Sequence, residues 1–178
     1  FNGLKGQGLL IIKNIQNIEP VVHGGGQEYG LRSGTVNLPM AVSMVKSIKL
    51  TMGRLDEASR KLNKMNQSVR TFLEEFRGVY INSPKDSAPQ IINVSFPGVK
   101  GEVLVNAFSK HGVMISTTSA CSSKRGKLNE VLLAMGVPDA RIEGSIRISM
   151  GVHTTEEDIQ RFKEVFEEVY EEVKELLK

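Results

Sequence analysis

The sequence predicts a chain of mixed helix and sheet, of the α/β or α+β class. Short aliphatic runs bounded by turn residues alternate with longer segments whose apolar residues recur every three or four positions. The composition agrees, since 40% of the 178 residues are hydrophobic and 24% are charged. That balance excludes a disordered tail, and no apolar run approaches the roughly 20 residues of a membrane-spanning helix.

The first 52 residues contain one predicted strand, one loop and one helix. The aliphatic run at 9–12 predicts a buried strand. Three consecutive glycines within 23–35 predict a loop shaped for close backbone approach, because glycine is costly to order in a helix or strand. A helix is expected to begin near Pro39, since proline suits the first helical turn. Its predicted apolar face comprises Ala41, Met44, Val45 and Ile48.

The following segment predicts a helix, two strands and a second helix. The region 56–77 carries one apolar stripe at helical spacing, and Gly78 is expected to stop the helix. Strands are predicted at 79–81 and 91–96, with turn residues between them. A helix follows at about 101–110. The predicted stripe of the first helix comprises Leu62, Met65, Val69, Phe72, Leu73 and Phe76.

The last third of the chain predicts a strand at 113–116 and then a loop at 117–127. The residues of that loop are small, polar or basic and show no apolar periodicity, so we expect it to be exposed and mobile. A short helix at 129–135 and a strand at 145–149 should follow. The final helix should begin near Thr154, where hydroxyls can cap it and acidic residues meet its positive end.

Cys121 is the single cysteine, so it cannot form an intrachain disulfide or build a zinc site alone, which suits a reducing compartment. It could be a buried structural thiol, since free cysteine behaves as a small hydrophobe. Its neighbours, however, are small and polar, and the nearby cations Lys124, Arg125 and Lys127 favour the nucleophilic thiolate. From these residues alone, the structural and the reactive interpretation both stay open.

Two further features could bind an anion. The loop at 23–35 can expose backbone amides to a phosphate, but it has no Walker or G-x-G-x-x-G motif, and a structural turn is the simpler interpretation. Arg147 lies in a predicted strand whose alternation places Ile146 and Ile148 on the opposite face. Its guanidinium either lies on a solvated face or binds a carboxylate through two parallel hydrogen bonds.

Several motifs, taken in order, resemble those of the pyridoxal-phosphate-dependent cysteine desulfurases of the class V aminotransferase group, in the NifS/IscS-like branch. The resemblance extends over the whole chain. Its most specific part is His-Gly-Gly-Gly-Gln-Glu in the glycine-rich loop, followed closely by Leu-Arg-Ser-Gly-Thr. The matching segments are 5–8, 23–28, 31–35, 119–121, 145–149 and 154–157.

The resemblance implies an α/β, fold-type I pyridoxal-phosphate-dependent transferase. Residues 1–52 would be the C-terminal end of the large cofactor domain. Residues 53–178 would form most of the small α+β domain, with the catalytic-cysteine loop at about 117–127. The Schiff-base lysine of the family would lie immediately before Phe1, because Lys5 matches a later lysine of the motif. We therefore expect the C-terminal portion of a longer enzyme, inactive in isolation.

The resemblance also assigns three residues to the reaction. Cys121 would attack the sulfur of a cysteine–pyridoxal adduct, taking it as a persulfide and leaving alanine. Arg147 would hold the α-carboxylate of the substrate. Thr35 would donate its hydroxyl to the cofactor phosphate of the neighbouring subunit in a homodimer. The sequence departs from the family at Leu4, where proline is usual, and at Thr118, where the usual residue is glycine and threonine could stiffen the loop.

The partners implied by the resemblance are L-cysteine, a second subunit and a sulfur-acceptor protein in the cytoplasm. The acceptor could be an iron–sulfur scaffold or a protein of tRNA or thiamine thiolation. No metal, nucleic acid or membrane is expected, and the basic residues are scattered rather than clustered. Two rivals stay open: a related class V aminotransferase or selenocysteine lyase, and a non-enzymatic sulfur-carrier or interaction domain without the cofactor half.

Overall fold

The chain folds into two compact units, Phe1–Asp56 and Glu57–Lys178. The computed structural model describes residues 3–14, 18–117 and 129–177. Within these ranges, no helix has the length and apolar composition needed to cross a membrane. The apolar side chains buried within the same ranges all belong to the second unit.

The first unit contains the glycine-rich loop, a 3₁₀ turn (Glu28–Gly30) and helix α1 (Leu38–Met52). The predicted helix near Pro39 is confirmed, and the side-chain oxygen of Asn37 caps it by accepting a hydrogen bond from the backbone N–H of Met40 at 3.3 Å. Its predicted apolar face is not buried: Val45 is exposed, and no residue of α1 is fully buried. A helix can form from its cap and local propensity without a layer to bury its face.

The predicted buried strand at 9–12 is wrong. The run forms no strand, and Leu9, Leu10 and Ile11 are exposed. A strand needs a neighbouring strand to satisfy its backbone N–H and C=O groups. No described residue pairs with the run, so its aliphatic composition alone does not produce the predicted element.

The second unit is built on a four-stranded antiparallel sheet with the order β1-β2-β4-β3. The strand predicted at 145–149 is confirmed residue for residue. The strand predicted at 113–116 is displaced, because the observed strand begins only at residue 116 and ends at residue 117. The strands are β1 (Tyr80–Ile81), β2 (Ile91–Ser95), β3 (Ser116–Thr117) and β4 (Ser145–Ser149). The unit also contains helix α2 (Leu55–Leu73) from its third residue onward, and helices α3 (Gly101–Lys110), α4 (Glu130–Ala134), α5 (Asp139–Glu143) and α6 (Glu156–Val173), followed by a 3₁₀ turn (Lys174–Leu176).

The core of this unit joins one face of the sheet to the apolar faces of α2, α3 and α6. Alternation along β2 and β4 directs their aliphatic side chains to the same buried face. The sheet contributes Ile92, Val94, Ile146 and Ile148 to this core. The predicted stripe of α2 is confirmed for Leu62, Met65, Val69 and Leu73, while Phe72 and Phe76 are partly buried.

Phe166 of α6 is the centre of an aromatic cluster in the core. It is fully buried, and its ring centroid lies 4.9 to 6.0 Å from five other rings. Those rings belong to Phe72, Phe76, Phe96, Phe108 and Phe162. Edge-to-face and tilted pairs of this kind add about 0.5–1.5 kcal/mol each beyond area burial, so α6 is firmly attached to α2 and α3.

Helix α6 begins where the sequence predicts. The Thr155 hydroxyl accepts a hydrogen bond from the backbone N–H of Asp158 at 3.1 Å, and the Asp158 carboxylate accepts one from the backbone N–H of Thr155 at 2.8 Å. This reciprocal pair satisfies two backbone donors at the helix start. On the same helix, Glu156 lies 2.6 Å from the ammonium group of Lys64 on α2, and this hydrogen bond and charge hold the pKa of Glu156 below its usual value.

Helix α5 was not predicted, because it spans five residues and is too short to show a helical period. It leads into Gly144, where the chain passes very close to the loop after β2. A Cβ atom at position 144 would lie 2.2 Å from the Phe96 carbonyl oxygen and 2.6 Å from that of Val99. Only glycine fits this crossing, which places the start of β4 against β2.

Candidate active site

The face of the sheet opposite the core is polar, and Arg147 lies on it. In the register of the sheet, Arg147 of β4 is the direct partner of Asn93 on β2 and of Ser116 on β3. Paired residues of antiparallel strands share a face, so these three side chains project to one side. Ile146 and Ile148 are buried on the other side, which confirms the predicted alternation.

The Arg147 guanidinium is available to a ligand. The residue is exposed, and its side chain makes no hydrogen bond or ion pair with any residue that the structure describes. Two other arginines of the unit are used structurally. Arg70 donates to the side chain of Asn66 and to two backbone carbonyls, and Arg141 stacks 3.7 Å from the ring centroid of Tyr80. Arg147 therefore has the chemistry and the freedom to bind a carboxylate.

An amide network holds the backbone beside Arg147. The Asn93 side chain donates a hydrogen bond to the Ile146 carbonyl oxygen at 3.0 Å. Asn82 donates in turn to the side-chain oxygens of Asn93 and Ser95, each at 2.6 Å. Sequence reasoning did not find Asn82 and Asn93; the available signal was an asparagine inside the aliphatic run of β2.

Helix α5 covers the end of the polar face at which β4 begins. The Ser145 hydroxyl donates to the Ile142 carbonyl oxygen at 2.8 Å, and Arg141 of the same helix covers the ring of Tyr80 on β1. Ser145 is buried, while Arg147 and Ser149 are exposed. The exposed part of the polar face is therefore the region around Arg147, and it does not extend over the whole sheet.

Cys121 lies outside the described residues, which stop at Thr117 and resume at Asn129. The strand that leads to it is described, however: β3 pairs with β4 beside Arg147 and ends at Thr117. The sheet thus brings Arg147 next to the point where the chain enters the predicted cysteine loop. Within the described ranges, no group of three His, Cys, Asp or Glu residues is placed to hold a metal ion.

Thr35 belongs to the first unit, at the end of the glycine-rich loop. The loop is closed by a parallel bridge between Val22 and Arg32 and by a hydrogen bond from the Gly34 N–H to the side-chain oxygen of Gln27 at 3.0 Å. Ser33 is buried, and Thr35 is exposed. No described residue forms a hydrogen bond with the Thr35 hydroxyl, so a ligand can accept its proton.

The order of these features along the chain matches one protein family. The model of the family described as Aminotransferase class-V matches residues 1–162. The chain belongs to the class V aminotransferase family. The predicted resemblance is thereby confirmed, and the named relatives place this class V chain beside the cysteine desulfurases.

The relatives of this class V chain include two proteins named cysteine desulfurase IscS. The one from Clostridium botulinum is 37% identical over 180 residues, which cover 99% of this chain and 45% of the relative. The one from Methanosarcina thermophila is 36% identical over 166 residues, which cover 93% of this chain and 41% of the relative. The class V chain therefore spans less than half the length of these relatives.

Solved structures confirm the predicted fold class. A NifS-like protein superposes with a TM-score of 0.72 at 35% identity, covering 86% of this chain and 39% of its own. A NifS-like protein from Rickettsia africae gives a TM-score of 0.71 at 27% identity, covering 86% and 40%. These neighbours are fold-type I enzymes, and the mixed helix and sheet of this class V chain is an α/β fragment of that fold.

The class V family implies pyridoxal phosphate as cofactor. The residues of this chain fit the phosphate end of that group, because the exposed Thr35 hydroxyl, which has no hydrogen-bond partner among the described residues, lies at the end of a glycine-shaped loop. The exposed cation of Arg147 has the chemistry to bind a carboxylate in the same way.

Proposed function

We propose that this chain is part of a cysteine desulfurase, which converts L-cysteine to alanine and transfers the sulfur to Cys121 as a persulfide. The observation that carries the proposal is the position of Arg147. A cation with no partner among the described residues lies on the polar face of the sheet, in register with the strand that leads to Cys121. The named relatives support the same reaction.

Arg147 binds and orients the substrate in this proposal. Its planar guanidinium matches a carboxylate through two parallel hydrogen bonds, which fixes direction as well as affinity. The network of Asn82 and Asn93 holds the β2–β4 pair beneath it. Arg147 therefore provides a fixed point for the α-carboxylate of L-cysteine.

Cys121 acts as the nucleophile. Its thiolate attacks the sulfur of the substrate, an S–S bond forms, and the C–S bond breaks with its electron pair on carbon, which takes up a proton to give alanine. Covalent geometry keeps its Cα within about 14 Å of the Cα of Thr117, since four residues span at most ~3.6 Å each. This distance allows the thiol to reach a substrate held by Arg147.

Thr35 holds the cofactor phosphate, which we place in the neighbouring subunit of a homodimer. Pyridoxal phosphate, when bound, supplies the electron sink for breaking the C–S bond. Lys5 matches the later lysine of the family motif, so we propose that the anchoring lysine is not among these 178 residues and that they do not turn over alone. The persulfide then passes to a sulfur-acceptor protein in the cytoplasm, for iron–sulfur or thio-cofactor synthesis.

The experiment is a Cys121→Ala substitution in the full-length enzyme. Alanine formation from L-cysteine should fall to background, while the visible absorbance of the bound cofactor stays unchanged. Ser122→Ala is the matched control in the same segment and should keep the activity. Unchanged alanine formation in Cys121→Ala would refute the nucleophile assignment, and activity confined to selenocysteine would indicate a lyase instead.

A further inference from the structure

We propose that Gln27 is the positioning residue for Thr35: its side chain closes the glycine-rich loop so that the Thr35 hydroxyl meets the cofactor phosphate. The proposal rests on the proposed function, because it takes Thr35 to be a phosphate ligand. Gln27 itself does not touch the phosphate and acts only through the shape of the loop.

The hydrogen bonds of Gln27 tie two points of the loop together. Its side-chain oxygen accepts from the backbone N–H of Gly34 at 3.0 Å, and its backbone carbonyl accepts from the N–H of Gly30 at 3.1 Å. One residue thus fixes both the 3₁₀ turn and the residue directly before Thr35. Hereafter, the Gln27–Gly34 hydrogen bond is called the loop clasp.

Gly25 makes room for the loop clasp. A Cβ atom at position 25 would lie 2.9 Å from the amide nitrogen of the Gln27 side chain and 3.1 Å from its oxygen. A Cβ atom this close must displace the flexible end of the Gln27 side chain, which carries the acceptor of the loop clasp. The triple glycine of the loop therefore has a specific purpose at this position, which is to let the Gln27 side chain fold back.

Gly34 gives the other half of the clasp its direction. Its φ of +119° lies where residues with a Cβ are strained, and this conformation points the N–H toward Gln27. Beyond Thr35, the chain is fixed again where the Leu38 N–H donates to the Val36 carbonyl oxygen at 3.0 Å.

Thr35 therefore lies between two fixed points, with no direct anchor of its own among the described residues. Its hydroxyl is exposed and unpaired there, so its position is set by the backbone on either side. Breaking the loop clasp releases Gly34, the fixed residue on the N-terminal side of Thr35. The Thr35 hydroxyl then occupies the position that can donate to the phosphate for a smaller fraction of the time, which lowers the affinity for the phosphate group. The chemistry at Cys121 and Arg147 is unchanged.

The test compares pyridoxal phosphate with pyridoxal, which lacks the phosphate, as ligands of the full-length enzyme freed of cofactor. Gln27→Met keeps the side-chain length and removes the acceptor. It should weaken pyridoxal phosphate binding about fivefold, the equivalent of one hydrogen bond, and leave pyridoxal binding unchanged. Gly25→Ala should weaken the same binding by a smaller factor, because its Cβ displaces only the flexible end of the Gln27 side chain. Gly53→Ala is the control, since that glycine has an ordinary φ of −63° and a Cβ there makes only normal contacts.

A double-mutant cycle with Thr35→Val shows whether Gln27 acts through Thr35. If it does, Gln27→Met has no further effect in the Thr35→Val background. Equal weakening of both ligands, or an additive loss in the double variant, would overturn the loop clasp as a positioning device. If Thr35→Val leaves both affinities unchanged, the roles of Thr35 and Gln27 fall together, whereas the desulfurase proposal would still stand or fall on Cys121→Ala.

Discussion

Replacing Arg147 tests its proposed role in substrate binding separately from any role in folding. The side chain is exposed and has no partner among the described residues, so its loss leaves no buried group unpaired. Substitutions of this kind change the free energy of unfolding by no more than about 0.5 kcal/mol. The full-length Arg147→Gln enzyme should therefore unfold at the urea concentration of the unchanged enzyme.

The effect on catalysis should be large by comparison. Hydrogen bonds between charged partners contribute about 1.5–3 kcal/mol, and a 1.4 kcal/mol difference is about tenfold. Arg147→Gln should therefore lower kcat/KM for L-cysteine about 10- to 150-fold. Arg147→Lys keeps the charge but loses the planar fork, so it should lower kcat/KM by about tenfold or less.

The assay measures alanine formation against L-cysteine concentration, beside urea unfolding of each variant. Arg141→Gln is the matched control, because that arginine stacks 3.7 Å from the Tyr80 ring centroid. It should cost about 0.5–1 kcal/mol of stability and leave KM unchanged. An unchanged kcat/KM in Arg147→Gln would refute the assignment of Arg147 to the substrate carboxylate, and a stability loss above about 2 kcal/mol would show that Arg147 is a structural residue.

Two further predictions concern the fold. Gly144→Ala should destabilise the chain by about 1–3 kcal/mol or more in urea unfolding, because its Cβ would lie 2.2 Å from the Phe96 carbonyl oxygen. Gly151→Ala is the control and should be near neutral, because nothing lies close to a Cβ at that position. Equal effects of the two substitutions on stability would contradict this account. Lys64 lowers the pKa of Glu156, so the pair stabilises the fold above the unfolded pKa of the carboxyl and the effect is lost as pH falls. Lys64→Met should lower the urea midpoint slightly at pH 7 and not at pH 3, and a loss that persists at pH 3 would exclude this cause.

Local signals in the sequence were sufficient for the elements that depend on nearby residues. Helix α3 (Gly101–Lys110) and strand β4 (Ser145–Ser149) match the predicted bounds, because their periodicity and their terminators lie within the segments themselves. The strand predicted at 9–12 failed for the opposite reason. A strand depends on a partner elsewhere in the chain, and an aliphatic run does not reveal whether one is present.

The candidate site divides along the same line. Alternation was enough to place Arg147 opposite Ile146 and Ile148. The amide network of Asn82 and Asn93 depends on the register of three strands, which no local pattern encodes. The loop clasp depends likewise on the path of a loop whose glycines allow many conformations. The motif could therefore be recognised in the sequence, but the hydrogen bond within it could not.

The contribution of α6 to the core determines when the second unit can fold during synthesis of the chain. The helix supplies six of the buried side chains, including Phe166, and in the chain it follows α2–α5 and the four strands of the described sheet. Until α6 has been made, the aliphatic face formed by β2 and β4 lacks much of its cover, even though the four strands of the described sheet precede it in the chain. The second unit can therefore complete its core only after α6 has been translated, and until then an apolar face of the sheet is exposed to water.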